Sequence, residues 1–116
     1  MLVSEIKQIV EAEFICGEDM ENTVVESACG SDMMSDVLAY VKDQGVLLTG
    51  LVNPQVIRTA EMMDMRVIVF VRGKMPDEDM INLAKSKHMA LLSTKMPMYS
   101  ACGKLYQAGL SGGSRV

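Results

Sequence analysis

The sequence predicts an α/β fold with three layers, α/β/α, built around a mostly parallel sheet. From residue 46 onward, short apolar runs alternate with amphipathic segments in the order strand–helix–strand–helix–strand–helix. The loops between these segments are short. Consecutive strands joined through a helix run parallel and are connected by right-handed crossovers, and the helices then cover the sheet.

The first thirty residues predict one helix and two short strands. Residues 2–12 place Leu2, Ile6 and Ile9 at helical spacing among charged side chains. The segments EFICG (13–17) and TVVESAC (23–29) are typical of strands. The connection between them is too short for a crossover helix, so they are not parallel neighbours. They either form a hairpin or lie apart.

The next helix is expected to begin at a cap formed by Ser31 or Asp32 and to run to about Asp43. Gly45 is expected to end this helix, and the apolar run VLLTG (46–50) then predicts a buried strand. The side chains predicted to face the core from this helix are Met34, Val37, Leu38 and Val41.

The remaining elements follow the same alternation. Asn53 and Pro54 predict the start of a helix, and VIVFV (67–71) is the strongest strand signal in the chain. Acidic residues at 77–79 and basic residues at 85–88 match the dipole of a further helix, and ALLS (90–93) predicts the next strand. A last helix is expected to end at Gly109. Its inward side chains are predicted to be Met98, Cys102, Leu105 and Tyr106.

Composition restricts the class of protein. The 116 residues fit one domain, which we place at residues 1–110, followed by a flexible tail at 111–116. A net charge of −4 and few aromatic side chains argue against nucleic-acid binding. No apolar run is long enough to span a membrane, and three widely spaced cysteines suggest free thiols in the cytoplasm. Most of the 12 methionines are expected to fill the core.

The carboxyl ends of the three later strands carry the candidate site. These ends share one edge of a parallel sheet, where backbone donors, hydroxyls and cations would meet an anion such as a nucleotide phosphate. An alternative is that Gly, Ser and Thr serve only the backbone geometry of tight turns. The candidate ligand-binding residues are Thr49, Gly50, Asn53, Arg72, Gly73, Lys74, Ser93, Thr94 and Lys95.

Signals for catalysis are weak. The chain has no phosphate-loop motif, and GLSGGSRV lacks the lysine and the following helix that such a loop requires. His88 lies at a helix end, where capping is the expected role, and no spacing indicates a metal site. We therefore expect no catalytic residues, no bound metal and no cofactor.

The stretch from Gly30 to Leu110 resembles the stand-alone DRTGG-domain proteins. The resemblance rests on DMMSDVLAYV, LLTGLVNPQVIRTAEMMDMRVIVFVRGKMPDEDMINLAK and LLSTKMPMYSACGKLYQAGL. The five-residue motif that names the family does not occur in this sequence. The acidic–basic pair of that motif aligns near Leu51–Val52, and its glycine-rich half aligns near Arg72–Gly73. The turn glycines Gly50 and Gly73 match the family pattern.

The resemblance implies an accessory domain similar to the N-terminal domains of HPr kinase and of the muramyl ligases. Related domains accompany some phosphotransacetylases and CBS-domain pyrophosphatases, whereas the kinase activity of HPr kinase belongs to a separate domain. We therefore expect a non-catalytic regulatory module that forms a homodimer and binds a nucleotide or another phosphate-bearing metabolite. The alternative is an interaction subunit that docks a partner enzyme without a small ligand.

Overall fold

The computed structural model describes residues 1–40 and 45–112 of the chain. Helices and strands alternate in it much as the sequence predicts. A short 3-10 turn, Glu18–Met20, lies between the first two strands. The elements are α1 (Val3–Ile9), β1 (Glu13–Cys16), β2 (Ser27–Gly30), α2 (Met34–Tyr40), β3 (Gly45–Thr49), α3 (Pro54–Met62), β4 (Val67–Phe70), α4 (Glu78–Ser86), β5 (Ala90–Ser93) and α5 (Met98–Gln107).

The strands form one five-stranded sheet in the order β1-β5-β4-β3-β2. The four strands β2 to β5 are parallel, and β1 pairs antiparallel with β5. The predicted α/β class with a mostly parallel sheet is therefore confirmed. The first two strands occupy opposite edges of the sheet, so of the two alternatives for them, lying apart is confirmed.

Helices cover both faces of the sheet. On one face, α1 and α5 bury Ile6 and Leu105 against Val46 and Leu48 of β3. On the other face, α2, α3 and α4 pack against a set that includes Leu47 of the same strand. Successive residues of β3 thus point to opposite layers, as the two-residue period of a strand requires. Because both faces are covered, the central strands are apolar throughout.

The starts of α3 and α4 agree with the capping residues in the sequence, whereas α2 begins at Met34 and the cap expected at Ser31 or Asp32 is wrong, because the Asp32 side chain accepts from Gly50 and Thr49 instead. Asn53 caps α3, its side chain accepting a hydrogen bond from the backbone N–H of Gln55 at 2.9 Å, with Pro54 as the first helical residue. Asp77 caps α4 and accepts from the N–H of Met80 at 2.9 Å. These caps fix where the turns after β3 and β4 end.

Two side chains that were predicted to face the core are exposed. Leu38 is 42% exposed and Tyr106 is 74% exposed. Each follows a fully buried residue, Val37 or Leu105, and one step along a helix rotates a side chain by about 100°. The apolar stripes of α2 and α5 are therefore narrower than predicted. Val41, the fourth predicted core residue of α2, lies outside the described residues.

Two element boundaries also differ from the prediction. Gly45, which was expected to end the preceding helix, is the first residue of β3, where an added Cβ would overlap Ser27 of β2; residues 41–44 lie outside the described residues. The second strand was expected over 23–29 but covers Ser27–Gly30, and Val24 forms only an isolated bridge with Leu2. The close approach of Ser27 to Gly45 explains why β3 needs a glycine at its start.

The outer edge of β2 is partly covered. The N–H of Ala28 donates to the carbonyl of Ser111 at 2.9 Å, so the chain after α5 turns back onto this edge strand. The last four residues of the predicted tail lie outside the described residues, and the tail stays a prediction. Within residues 1–40 and 45–112, no helix combines the length and apolar character needed to cross a membrane.

The methionines divide between core and surface. Met65 and Met80 are fully buried, which confirms the core-filling role for these two, whereas Met62 is 73% exposed. Cys16, Cys29 and Cys102 are all free thiols, as predicted.

Candidate anion-binding edge

The turns that follow β3, β4 and β5 meet at one edge of the sheet, which we call the carboxyl rim. The N–H of Val71 donates to the carbonyl of Thr49 at 3.0 Å. The N–H of Gly73 donates to the carbonyl of Thr94 at 2.9 Å, and the N–H of Arg72 to that of Met96 at 2.8 Å. The predicted gathering of the three strand ends is therefore confirmed.

The turn after β3 holds a carboxylate that the sequence did not assign to the site. Asp32, in the segment between β2 and α2, accepts hydrogen bonds through Oδ1 from the N–H of Gly50 at 2.7 Å and from Thr49 Oγ1 at 3.1 Å. Its Oδ2 lies 3.4 Å from Arg72 Nη2. One of the three predicted cations is thus already paired with an acid of the same chain.

The pKa of Asp32 is lowered by this arrangement. The hydrogen bond from Gly50 N–H is the largest cause, and Thr49 and Arg72 lower the pKa further, whereas partial burial opposes them. The carboxylate is therefore ionised at neutral pH. The Arg72 and Asp32 side chains are 45% and 44% exposed, so their ion pair contributes no more than about 1 kcal/mol to stability.

The turn after β4 aims Arg72 at this carboxylate. Arg72 and Gly73 have φ angles of 58° and 70°, and the N–H of Lys74 donates to the carbonyl of Val71 at 3.1 Å. Two consecutive central residues at positive φ are typical of a type I′ turn. A Cβ at Gly50 would overlap the Arg72 guanidinium. Glycine at position 50 therefore leaves the space that this guanidinium fills.

The hydroxyls after β5 are bonded within the protein. Ser93 Oγ donates to the carbonyl of Lys74 at 2.9 Å. Thr94 Oγ1 donates to the carbonyl of Val10 at 2.6 Å and accepts from the N–H of Met96 at 3.1 Å. The backbone N–H groups of Gly50 and Gly73, which were expected to meet an anion, are likewise bonded within the protein, to Asp32 and to the carbonyl of Thr94. The turns use their donors to hold one another in place.

Part of the rim remains open to solvent. Lys74 and Lys95 are exposed, and within residues 1–40 and 45–112 neither forms a salt bridge. A cavity of about 560 Å³ lies beside Lys95 at the ends of β4 and β5. It is lined by Glu11, Glu13, Gly73, Met75, Ser93, Thr94, Lys95 and Met96.

The rim thus divides the nine predicted residues into groups. Thr49, Gly50 and Arg72 surround Asp32, while Gly73, Ser93, Thr94 and Lys95 line the cavity. Asn53 serves as a helix cap. Lys74 is exposed, and it lies near the cavity because its carbonyl accepts a hydrogen bond from Ser93, which lines the cavity. In the described part of the chain, no group of three or more His, Cys, Asp or Glu side chains could hold a metal ion.

The fold and the rim define a small α/β domain with interlinked polar turns along one sheet edge. The chain belongs to the DRTGG domain family, whose model matches residues 5–108, and the resemblance seen in the sequence is confirmed. No curated protein sequence matches the chain significantly.

The fold is similar to that of solved structures, one of which bears on function. That structure contains the CBS and DRTGG domains of the regulatory region of Clostridium perfringens pyrophosphatase, complexed with the activator diadenosine tetraphosphate. The TM-score is 0.70 at 15% sequence identity over 93% of this chain. The match covers 46% of the chain of that structure, so this protein spans about half its length. At this identity the similarity establishes the fold alone.

Proposed function

We propose that this protein is a non-catalytic regulatory module that binds a small anionic ligand of the nucleotide class at the carboxyl rim. The observation that carries the proposal is the convergence of three turns, with two exposed lysines and a cavity at the same sheet edge. Helix N-termini point toward this edge in parallel α/β sheets, and this adds to its attraction for anions.

The lining of the cavity suits a nucleotide better than a bare inorganic anion. Lys95 supplies a cation for phosphate oxygens, and Met75 and Met96 supply apolar surface for a base. Glu11 and Glu13 supply acceptors that suit ribose hydroxyls or amino groups. A ligand with both a phosphate and a hydrogen-bond-donating part uses all of these groups. An isolated phosphate would meet repulsion from the two glutamates.

The similar pyrophosphatase region supports the regulatory role. That structure holds a dinucleotide activator in a region that contains a DRTGG domain. By analogy, the present chain would bind its ligand and act on a partner enzyme or a second copy, and would itself carry no reaction.

The chemistry of the rim hydroxyls agrees with a role without catalysis. Ser93 and Thr94 both donate their protons to backbone carbonyls. A nucleophilic hydroxyl is instead activated by a neighbouring general base. We therefore assign these two side chains to holding the rim in shape.

Replacing the two exposed rim lysines tests the proposal. We expect Lys74→Ala/Lys95→Ala to weaken binding of ATP or diadenosine tetraphosphate, measured by calorimetry, by about ten-fold or more, because a hydrogen bond to a charged group contributes about 1.5–3 kcal/mol. The charge-matched control is Lys85→Ala/Lys104→Ala, since Lys85 lies in the last turn of α4 and Lys104 in the last turn of α5, away from the rim. Equal affinity of both variants for the nucleotide would contradict the proposed site.

A specific observation also identifies a candidate protein contact surface, either for the expected homodimer or for the partner of the interaction-subunit alternative. Tyr99 and Tyr106 of α5 are 89% and 74% exposed, and their spacing of seven residues places both on one face of the helix. They border a cavity of about 660 Å³ between α5 and β2, with Gly30 and Gly103 in its lining. Exposed aromatic residues are typical of protein contact surfaces.

Sedimentation velocity tests whether this α5 face mediates self-association. We expect the wild-type chain to dimerise with increasing concentration and Tyr99→Ser/Tyr106→Ser to remain a monomer. Met62→Ser is the matched control, since Met62 is 73% exposed on α3. A monomeric wild-type chain at high concentration would count against self-association. A dimer that persists in the tyrosine variant would place the contact elsewhere.

A further inference from the structure

We propose that Asp32 is an internal substitute for an anionic group of the ligand, and that the phosphate or carboxylate of an incoming ligand replaces it. The inference rests on the proposed function and specifies how the same rim is regulated. The subsite consists of the Gly50 N–H, the Thr49 hydroxyl and the Arg72 guanidinium. We call this group the anion pocket.

The donors of the anion pocket converge on a single carboxylate from two different turns. Gly50 and Thr49 reach Oδ1 of Asp32 at 2.7 Å and 3.1 Å, and Arg72 reaches Oδ2. A backbone N–H, a hydroxyl and a guanidinium also form the usual donor set for a phosphate group. The pocket therefore has the chemistry of an anion site, with a residue of the chain as its occupant.

The occupant is held loosely on the Arg72 side. The contact between Nη2 and Oδ2 is 3.4 Å, whereas charge-assisted N–H···O bonds are commonly about 2.7–2.9 Å. Both side chains are nearly half exposed, so Asp32 can turn into solvent without uncovering buried apolar surface. A phosphate carries roughly twice the charge of a carboxylate and can form two parallel bonds with the guanidinium. It is thus a stronger partner for Arg72 than Asp32 is.

Displacement of Asp32 would connect the rim to α2. Asp32 lies two residues before the start of α2 at Met34, and the neighbouring Ser31 N–H donates to the carbonyl of Leu48. The bonds to Gly50, Thr49 and Arg72 tie this segment to the turns after β3 and β4. When a ligand takes these donors, the segment before α2 loses the attachment made by the Asp32 side chain and keeps only the backbone bond from Ser31 to Leu48. We therefore assign to α2 the change that a partner would sense.

Titration of inorganic phosphate into the full chain tests the inference, with the backbone amide of Gly50 observed by NMR. In Asp32→Ala the pocket is vacant, so we expect the Gly50 resonance to move with a phosphate dissociation constant lower than that of wild type by about ten-fold or more. Asp36→Ala is the matched control because Asp36 is an exposed acid of the first turn of α2. Asp36→Ala should bind phosphate with the affinity of wild type. The double variant Asp32→Ala/Arg72→Ala should lose the higher phosphate affinity expected of Asp32→Ala.

Two outcomes would overturn the inference. One is a folded Asp32→Ala whose Gly50 amide does not respond to phosphate. The other is a response equal to that of wild type or of Asp36→Ala. Should Asp32→Ala fail to fold, Asp32→Asn serves instead, since it keeps an acceptor for Gly50 but removes the charge. We expect this variant to bind phosphate more tightly than wild type and less tightly than a vacant pocket would. An affinity no higher than that of wild type would again overturn the inference.

The same measurements separate this inference from the proposed function. In one case, a nucleotide shifts the amide resonances of Lys95 and Thr94 in wild type, but phosphate does not shift the Gly50 amide in Asp32→Ala. This result would retain the rim as a ligand site and reject the role of Asp32. A phosphate response at Gly50 of the variant without any nucleotide binding to wild type would reject the proposed ligand class. It would leave the anion pocket in place.

Discussion

Replacing Thr94 by valine tests whether this rim hydroxyl holds the structure together. Its Oγ1 donates to the carbonyl of Val10 at 2.6 Å and accepts from the N–H of Met96 at 3.1 Å, and the residue is only 3% exposed. Valine has nearly the same shape but leaves both backbone groups without this partner. Each unsatisfied buried group costs about 1–3 kcal/mol, and Met96 is only partly buried, so we expect a loss of about 2–4 kcal/mol in the free energy of unfolding.

Urea denaturation followed by far-UV circular dichroism measures this loss. The neighbouring Ser93→Ala is the control: its hydrogen bond to the carbonyl of Lys74 is exposed, and water can replace it. The expected cost of that change is below about 1 kcal/mol. Thr94→Ser keeps the hydroxyl and removes one methyl group, for an expected cost of about 1 kcal/mol. A Thr94→Val variant that is no less stable than Ser93→Ala would show that the Thr94 hydroxyl does not hold the rim together.

Three further predictions concern the anion pocket and the thiols. Gly50→Ala should push the Arg72 guanidinium away from Asp32. The double variant Gly50→Ala/Arg72→Ala should therefore be no less stable than Gly50→Ala alone. Additive losses of unfolding free energy in a double-mutant cycle measured with urea would contradict this. Because the folded-state pKa of Asp32 is lowered, its contribution to stability is present above the ordinary aspartate pKa and is lost as the pH falls through the lower folded-state pKa. Asp32→Asn should therefore lose less stability than wild type below about pH 4. Parallel curves of unfolding free energy against pH for the two proteins would refute this. Burial raises the thiol pKa of Cys29 and Cys102, so both should react with iodoacetamide at pH 7 more slowly than free cysteine, and equal rates would exclude this.

The fold could be predicted from residue 46 onward because the physical signals there agree with one another. The strand VIVFV is apolar throughout, as a strand covered on both faces must be, and Asn53–Pro54 supplies a cap and a favoured first helical residue. The failures have an equally local cause. Leu38 and Tyr106 lie one helical step from buried neighbours, and periodicity in short helices does not separate such positions.

The rim could be predicted in outline because parallel strands bring their carboxyl ends together. Its internal bonding could not, since it joins residues that are distant in sequence. Asp32 precedes Thr49 by 17 positions and Arg72 by 40. A usable signal was present: Asp32 follows β2 at its carboxyl end, so identifying β2 as parallel to β3 would have placed this acid at the rim. The weak pattern of residues 23–29 did not establish that pairing.

Whether the carboxyl rim binds a nucleotide can be decided by an amide NMR titration of the wild-type chain with diadenosine tetraphosphate. We expect saturable chemical-shift changes at the amides of Gly73, Thr94 and Lys95, which line the cavity at the ends of β4 and β5. No shift at these three amides, or shifts confined to the α5 face around Tyr99, would contradict it.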